Sequence, residues 1–136
     1  MNNKKALIIG CGHVGSTAAY SLILKNLVQE IFLLDVNESL LFGAINDLRH
    51  SAVFQNIKVQ KGSYKDLNAY DYIIITAGPS QTLSGGATRL NGLFKADQII
   101  KNIAENFKSS DYKGYVILAS NPLDLMTYAF WKYSGL

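Results

Sequence analysis

Ile8-Ile9-Gly10-Cys11-Gly12-His13-Val14-Gly15 spaces three glycines as G-x-G-x-x-G, with an apolar run before it and a helical pattern after it. A second apolar run, Ile31-Phe32-Leu33-Leu34, ends at Asp35, twenty positions beyond Gly15. A glycine triplet alone is weak evidence, but strand, glycine turn, helix, strand and acid in this order describe a dinucleotide-binding βαβ unit. Gly10 permits the tight turn off the strand, Gly12 lets backbone approach a pyrophosphate, and Gly15 lets the helix pack close to the sheet. Cys11, His13 and Val14 complete the turn, where free N–H groups and the positive end of the helix dipole meet phosphate. Asp35 accepts hydrogen bonds from ribose hydroxyls and repels a 2′-phosphate, which favours NAD over NADP. The bland alternative is a glycine turn in a nucleotide-free α/β protein, with Asp35 as a helix cap.

At 136 residues and 49% hydrophobic, the chain has the length of one globular domain with a substantial core. The net charge of +3 is spread without a basic cluster, which argues against a nucleic-acid surface. Only residues 6–9 follow the basic opening as an apolar run, far short of a signal segment or membrane span, so the expected compartment is the cytoplasm. The single cysteine, Cys11, excludes an intrachain disulfide and suits a reducing compartment. A helix-start turn is able to lower a thiol pKa, although a small residue in a tight turn is the simpler account of Cys11. No metal-ligand spacing is present.

Periodicity predicts strands at 5–9, 30–35, 57–61, 72–77 and 115–119. It predicts helices at 14–25, 40–51 and 88–108, a loop at 78–87, and an unusually apolar last helix containing 128–133. Ala18 and Ser21 are the small residues expected on the sheet-facing side of the first helix. Alternation of strand and helix gives an α/β class, a Rossmann-type doubly wound parallel sheet of order 3-2-1-4-5 with one edge strand expected to be missing. Ligands in such sheets sit at the carboxyl ends of the strands, where Gly10, Asp35, Gly78 and Asn121 fall.

Thr76-Ala77-Gly78, Gln81, Thr88-Arg89-Leu90 and Ser120-Asn121-Pro122-Leu123-Asp124 together resemble the L-lactate and malate dehydrogenase family, most of all its L-lactate or L-2-hydroxyacid branch. Asp47-Leu48-Arg49-His50 is similar to that family's D-L-x-H segment, with a structural role expected for His50. The resemblance covers essentially the whole chain. It implies NAD as cofactor, a 2-oxoacid such as pyruvate as substrate, and a place in glycolysis or carboxylic acid metabolism. It implies that Arg89, carried on a closing loop, polarises the reacting carbonyl, and that Gln81, Arg89 and Asn121 bind substrate. Asn121 is also expected to orient the nicotinamide, or, more plainly, to form a turn or cap before Pro122. Tyr64, Thr76, Ala77, Gly78, Ala119, Ser120 and Asn121 join residues 10–15 and Asp35 as expected cofactor contacts.

Gln81 stands where lactate-type members carry a neutral side chain and malate-type members carry arginine, which suits a substrate with one carboxylate. The stretch 82–88 is about two residues longer than usual for the family and lacks its lysine, proline and glutamate. Larger 2-hydroxyacids, as in L-2-hydroxyisocaproate dehydrogenases, and malate therefore stay open as alternatives. The family's proton-transferring histidine, its orienting aspartate and its carboxylate-anchoring arginine have no counterpart here. The 136 residues therefore read as the NAD-binding domain of an enzyme whose catalytic domain lies elsewhere, inactive by itself and a homodimer or homotetramer when full length. A non-catalytic NAD(H)-sensing module is the alternative of another class. A methyltransferase is a third, disfavoured by the glycine triplet and the T-A-G segment. No nucleic-acid, membrane or metal partner is expected.

Overall fold

The computed structural model describes residues 3–79 and 89–136, with the backbone alone for Arg89. Five strands, β1 (Lys5–Ile9), β2 (Glu30–Leu34), β3 (Lys58–Lys61), β4 (Tyr72–Ile75) and β5 (Tyr115–Leu118), form one sheet in the order β3-β2-β1-β4-β5. Every pairing is parallel. The helices are α1 (His13–Leu24), α2 (Glu38–Ala52), α3 (Arg89–Glu105) and α4 (Leu123–Ser134), and a short 3-10 turn at Leu67–Ala69 lies on the crossover from β3 to β4.

Strand alternation sorts the core into two layers, because successive side chains leave a strand on opposite faces. Leu7, Ile9, Ile73 and Ile75 face α3 and α4 and pack with Ala96, Ile100, Ile103, Met126 and Phe130. Ala6, Ile8, Ile31 and Leu33 face α1 and α2 and pack with Ala19, Ile23, Leu41, Ile45 and Leu48. Phe107 pins the first layer with edge-to-face contacts to Tyr112 and Phe130, at centroid separations of 5.9 and 5.1 Å. Truncating such a buried ring to alanine costs about 3–5 kcal/mol.

Some boundaries differ from the sequence reading for local reasons. Helix α2 begins at Glu38, earlier than 40, because Asn37 caps it by accepting from the Leu40 N–H at 3.0 Å. The same cap removes Asp35 from a capping role. On α1 the sheet-facing residues are Gly15, Ala19 and Ile23; Ser21 is exposed and donates its hydroxyl to Thr17 O, so the expected Ala18/Ser21 face is corrected by about one position. Strand β4 stops at Ile75, leaving Thr76 and Ala77 in the loop that follows. The expected loop at 78–87 and the start of the long helix at 88 lie largely outside the described residues.

The last helix buries Met126, Ala129 and Phe130 but leaves Leu123, Leu125, Tyr128 and Trp131 about half exposed. Beside it, β5 is one of the sheet's two edge strands, with Tyr115 and Ile117 exposed where the α1/α2 layer ends. No helix among the described residues is long and apolar enough to cross a membrane.

Candidate functional site

Because all five strands run parallel, their carboxyl ends meet along one rim. The turn from β1 to α1, Asp35 after β2, Tyr64 after β3, residues 76–78 after β4 and residues 119–121 after β5 all lie on it. The expected cofactor residues are therefore brought to one edge. Gln81 and the side chain of Arg89 lie outside the described residues.

The glycine turn is built by close approach. Gly10 has φ +101°, and a Cβ there would stand 2.6 Å from Ala77 N. A Cβ on Gly15 would run into the Gly10 carbonyl oxygen and stand 2.7 Å from Thr76 Oγ1, which shows why the helix starts flush against the strand end. Gly12 differs: it is exposed, and a Cβ there would meet nothing within 4 Å. It holds the N-cap position of α1 without a side-chain cap, and the first turn contains no acidic residue. Uncapped N–H groups with open space in front of them fit an anionic pyrophosphate.

Asp35 is half-buried and oriented by backbone. Its Oδ2 accepts from Cys11 N–H at 2.7 Å and its Oδ1 from Asn37 N–H at 2.8 Å. Each carboxylate oxygen keeps a further lone pair, so the group remains able to accept from a ribose diol. Asn37 was not anticipated at this site; an Asx residue two positions after the acid and just before a helix is the signal that identifies it.

Cys11 is buried, and its thiol donates to Leu34 O at 3.6 Å. Burial, followed by the charge of Asp35, pushes the thiol up to about 12. Its position at the helix start therefore does not lower the pKa, because desolvation outweighs the dipole. Cys11 serves as a small backbone element of the turn. Tyr64 packs against the α3/α4 core layer, where burial pushes its phenol up to about 12.

Thr76 Oγ1 donates to Gly10 O at 2.8 Å, and the buried Ser120 Oγ donates to Ala77 O at 2.6 Å. Ser16, also missed in the sequence reading, donates to Cys11 O at 2.9 Å. Asn121 is exposed, and Pro122 takes the N-cap position of α4. His50 and Asp47 are exposed on α2, away from the rim. Among the described residues no group of three or more His, Cys, Asp or Glu side chains is placed to hold a metal ion.

Known proteins share this arrangement. Residues 4–136 match the family model of the lactate/malate dehydrogenase NAD-binding domain. An L-lactate dehydrogenase of Bacillus cereus is 40% identical over 137 aligned positions, covering 99% of this chain and 43% of that protein. The ligand-bound minor L-lactate dehydrogenase of Enterococcus mundtii superposes with a TM-score of 0.90 at 33% identity, covering 100% of this chain and 43% of that one. The malate dehydrogenase of Archaeoglobus fulgidus in complex with NADH superposes with a TM-score of 0.84 at 35% identity, covering 97% of this chain and 45% of that one. This chain thus spans less than half the length of these relatives. The match of residues 4–136 to the family model establishes that the chain belongs to the lactate/malate dehydrogenase family, as its NAD-binding domain.

Proposed function

We propose that this domain serves an NAD-dependent L-2-hydroxyacid dehydrogenase of the lactate type, acting in the cytoplasm on a monocarboxylic 2-oxoacid. The observation that supports the cofactor choice is Asp35, whose two oxygens are held at the rim by Cys11 N–H and Asn37 N–H and keep lone pairs able to accept from ribose hydroxyls. Bound NAD supplies the hydride acceptor or donor. The residues of this chain bind and orient: the N-terminus of α1 takes the pyrophosphate, Asp35 the adenosine ribose, and Asn121 the nicotinamide and substrate.

Arg89 is the first residue of α3, and its role is to stabilise the negative charge that develops on the carbonyl oxygen. Gln81, being neutral, favours substrates with one carboxylate, since burying a second without a cation is costly. The proton donor and the carboxylate anchor come from a second domain. The 43% share of the Bacillus cereus relative and the exposed apolar side of α4 support that reading. The full-length enzyme is expected to be a homodimer or homotetramer.

Calorimetric titration tests the cofactor assignment: this chain should bind NADH more tightly than NADPH, and Asp35→Ala should narrow the difference. Equal affinities in the unmodified chain would reject the role of Asp35. In a full-length enzyme, Arg89→Ala should lower kcat about a hundredfold or more while NADH affinity changes little. An unchanged kcat would remove Arg89 from the chemistry.

A further inference from the structure

A peptide group is planar, so whatever holds its C=O also aims its N–H. Three side-chain hydroxyls along the rim hold carbonyls in this way. Thr76 donates to the carbonyl of the Gly10–Cys11 peptide, whose N–H is bound at its other end by Asp35. Ser16 donates to the carbonyl of the Cys11–Gly12 peptide, whose N–H is that of the exposed Gly12. Ser120 donates to the carbonyl of the Ala77–Gly78 peptide. These bonds stand outside the strand ladders and run across the sheet in its spatial order, from β2 through β1 and β4 to β5.

We propose that Thr76, Ser16 and Ser120 are positioning residues, which preset the peptide planes of the rim so that the Gly12 N–H is aimed at the pyrophosphate before any ligand arrives. The inference rests on NAD binding at this rim and assigns these hydroxyls to orienting backbone rather than touching the cofactor. Gly10 needs such a brace. At φ +101° it occupies a region open to glycine, and glycine has the most conformational freedom to lose. Without the Thr76 bond the 10–11 peptide keeps, among the described residues, only its hydrogen bond to Asp35. Preorganisation lowers the ordering cost of binding, so its loss appears as weaker affinity without any lost contact to ligand.

The test compares ADP-ribose, which carries the pyrophosphate, with adenosine, which does not, by NMR titration of this chain and its variants. Thr76→Val and Ser16→Ala should each weaken ADP-ribose binding about tenfold, leave adenosine within about twofold, and speed hydrogen exchange at the Gly12 amide. Thr76→Ser should restore most of the affinity. Unchanged ADP-ribose affinity in both variants, a parallel loss for adenosine, or failure of Thr76→Ser to rescue would each overturn the proposal. Should Thr76→Val unfold, Ser16→Ala decides alone, since Ser16 is only partly buried on the first turn of α1. Absence of ADP-ribose binding by the unmodified chain would instead strike at the cofactor reading beneath it.

Discussion

Two aspartates sit at opposite edges of the sheet and use the same chemistry to different ends. Asp71, at the amino edge before β4, accepts from Lys5 N–H at 2.8 Å and pairs with Lys4 Nζ at 2.7 Å. Asp35, at the carboxyl edge, accepts from two backbone N–H groups and has no lysine or arginine partner among the described residues. The first carboxylate is neutralised within the fold. The second is oriented by the fold but left with its charge and spare lone pairs facing outward, which is what recognition of a ribose requires. A carboxylate held by backbone and left without a cation at the carboxyl edge of a parallel sheet is thus available to a ligand, as proposed for Asp35, whereas its compensated counterpart ties strands together.

The glycines repeat the contrast and allow it to be broken. Gly15 at the carboxyl edge and Gly114 at the amino edge are both close-approach positions: a Cβ on Gly114 would stand 2.6 Å from Asp71 O and meet the Tyr112 ring, as one on Gly15 would meet Gly10 O. Gly15→Ala and Gly114→Ala should each destabilise the chain by about 2–4 kcal/mol in urea unfolding, because backbone cannot yield as a flexible side chain does. If either substitution is neutral, that contact does not set the local packing.

Gly12→Ala gives the sharper version, since space is open around Gly12 and its φ of −66° is accessible to alanine. Stability should fall by no more than about 1 kcal/mol, because alanine is a poorer N-cap than glycine by roughly that amount and its stiffening of the unfolded chain offsets part of the loss. NADH affinity should nevertheless fall about tenfold, as the new methyl occupies the approach path of the pyrophosphate. Unaltered NADH binding would show that the cofactor does not come close to Gly12.

What could be read in the sequence divides along the same line. The G-x-G-x-x-G turn, Asp35 and the strand order are local in origin: apolar runs, glycines and an acid at fixed spacing determine them. Thr76 was legible as part of the site and the strand order sets β4 beside β1, but its bond to Gly10 O was not, since it joins positions 66 apart and depends on the register of the two strand ends. The same holds for Ser120 and Ala77, on adjacent strand ends. For Cys11 the favoured reading, a small residue in a tight turn, agrees with the structure, whereas the burial that raises its thiol pKa is not visible in sequence. The Asn37 cap and the Ser16 hydroxyl are local features, marked by an Asx residue just before a helix and by a hydroxyl five positions after Cys11.

The compensated edge yields the smallest effect and the one with a definite pH window. The Lys4 hydrogen bond, then the Lys5 N–H, holds the Asp71 carboxyl below its ordinary value of 3.8, while the bond to Asp71 raises Lys4 above 10.5. A carboxyl with a depressed folded-state pKa binds fewer protons folded than unfolded, so its stabilisation is present above the ordinary value and is lost as pH falls through the depressed one. For a raised lysine the contribution is complete below 10.5 and is lost as pH rises through the elevated value. The difference in Tm between the unmodified chain and Asp71→Asn should therefore be positive and level from about pH 5 to pH 10, shrinking on both sides of that range. Both side chains are about one-third exposed, so the pair is partly screened by solvent, and the plateau should be a few degrees at most and should fall further in high salt. A difference that stays constant down to pH 2 would show that Asp71 acts through packing and not through its ionised carboxylate. The contrast with Asp35 would then rest on geometry and not on charge.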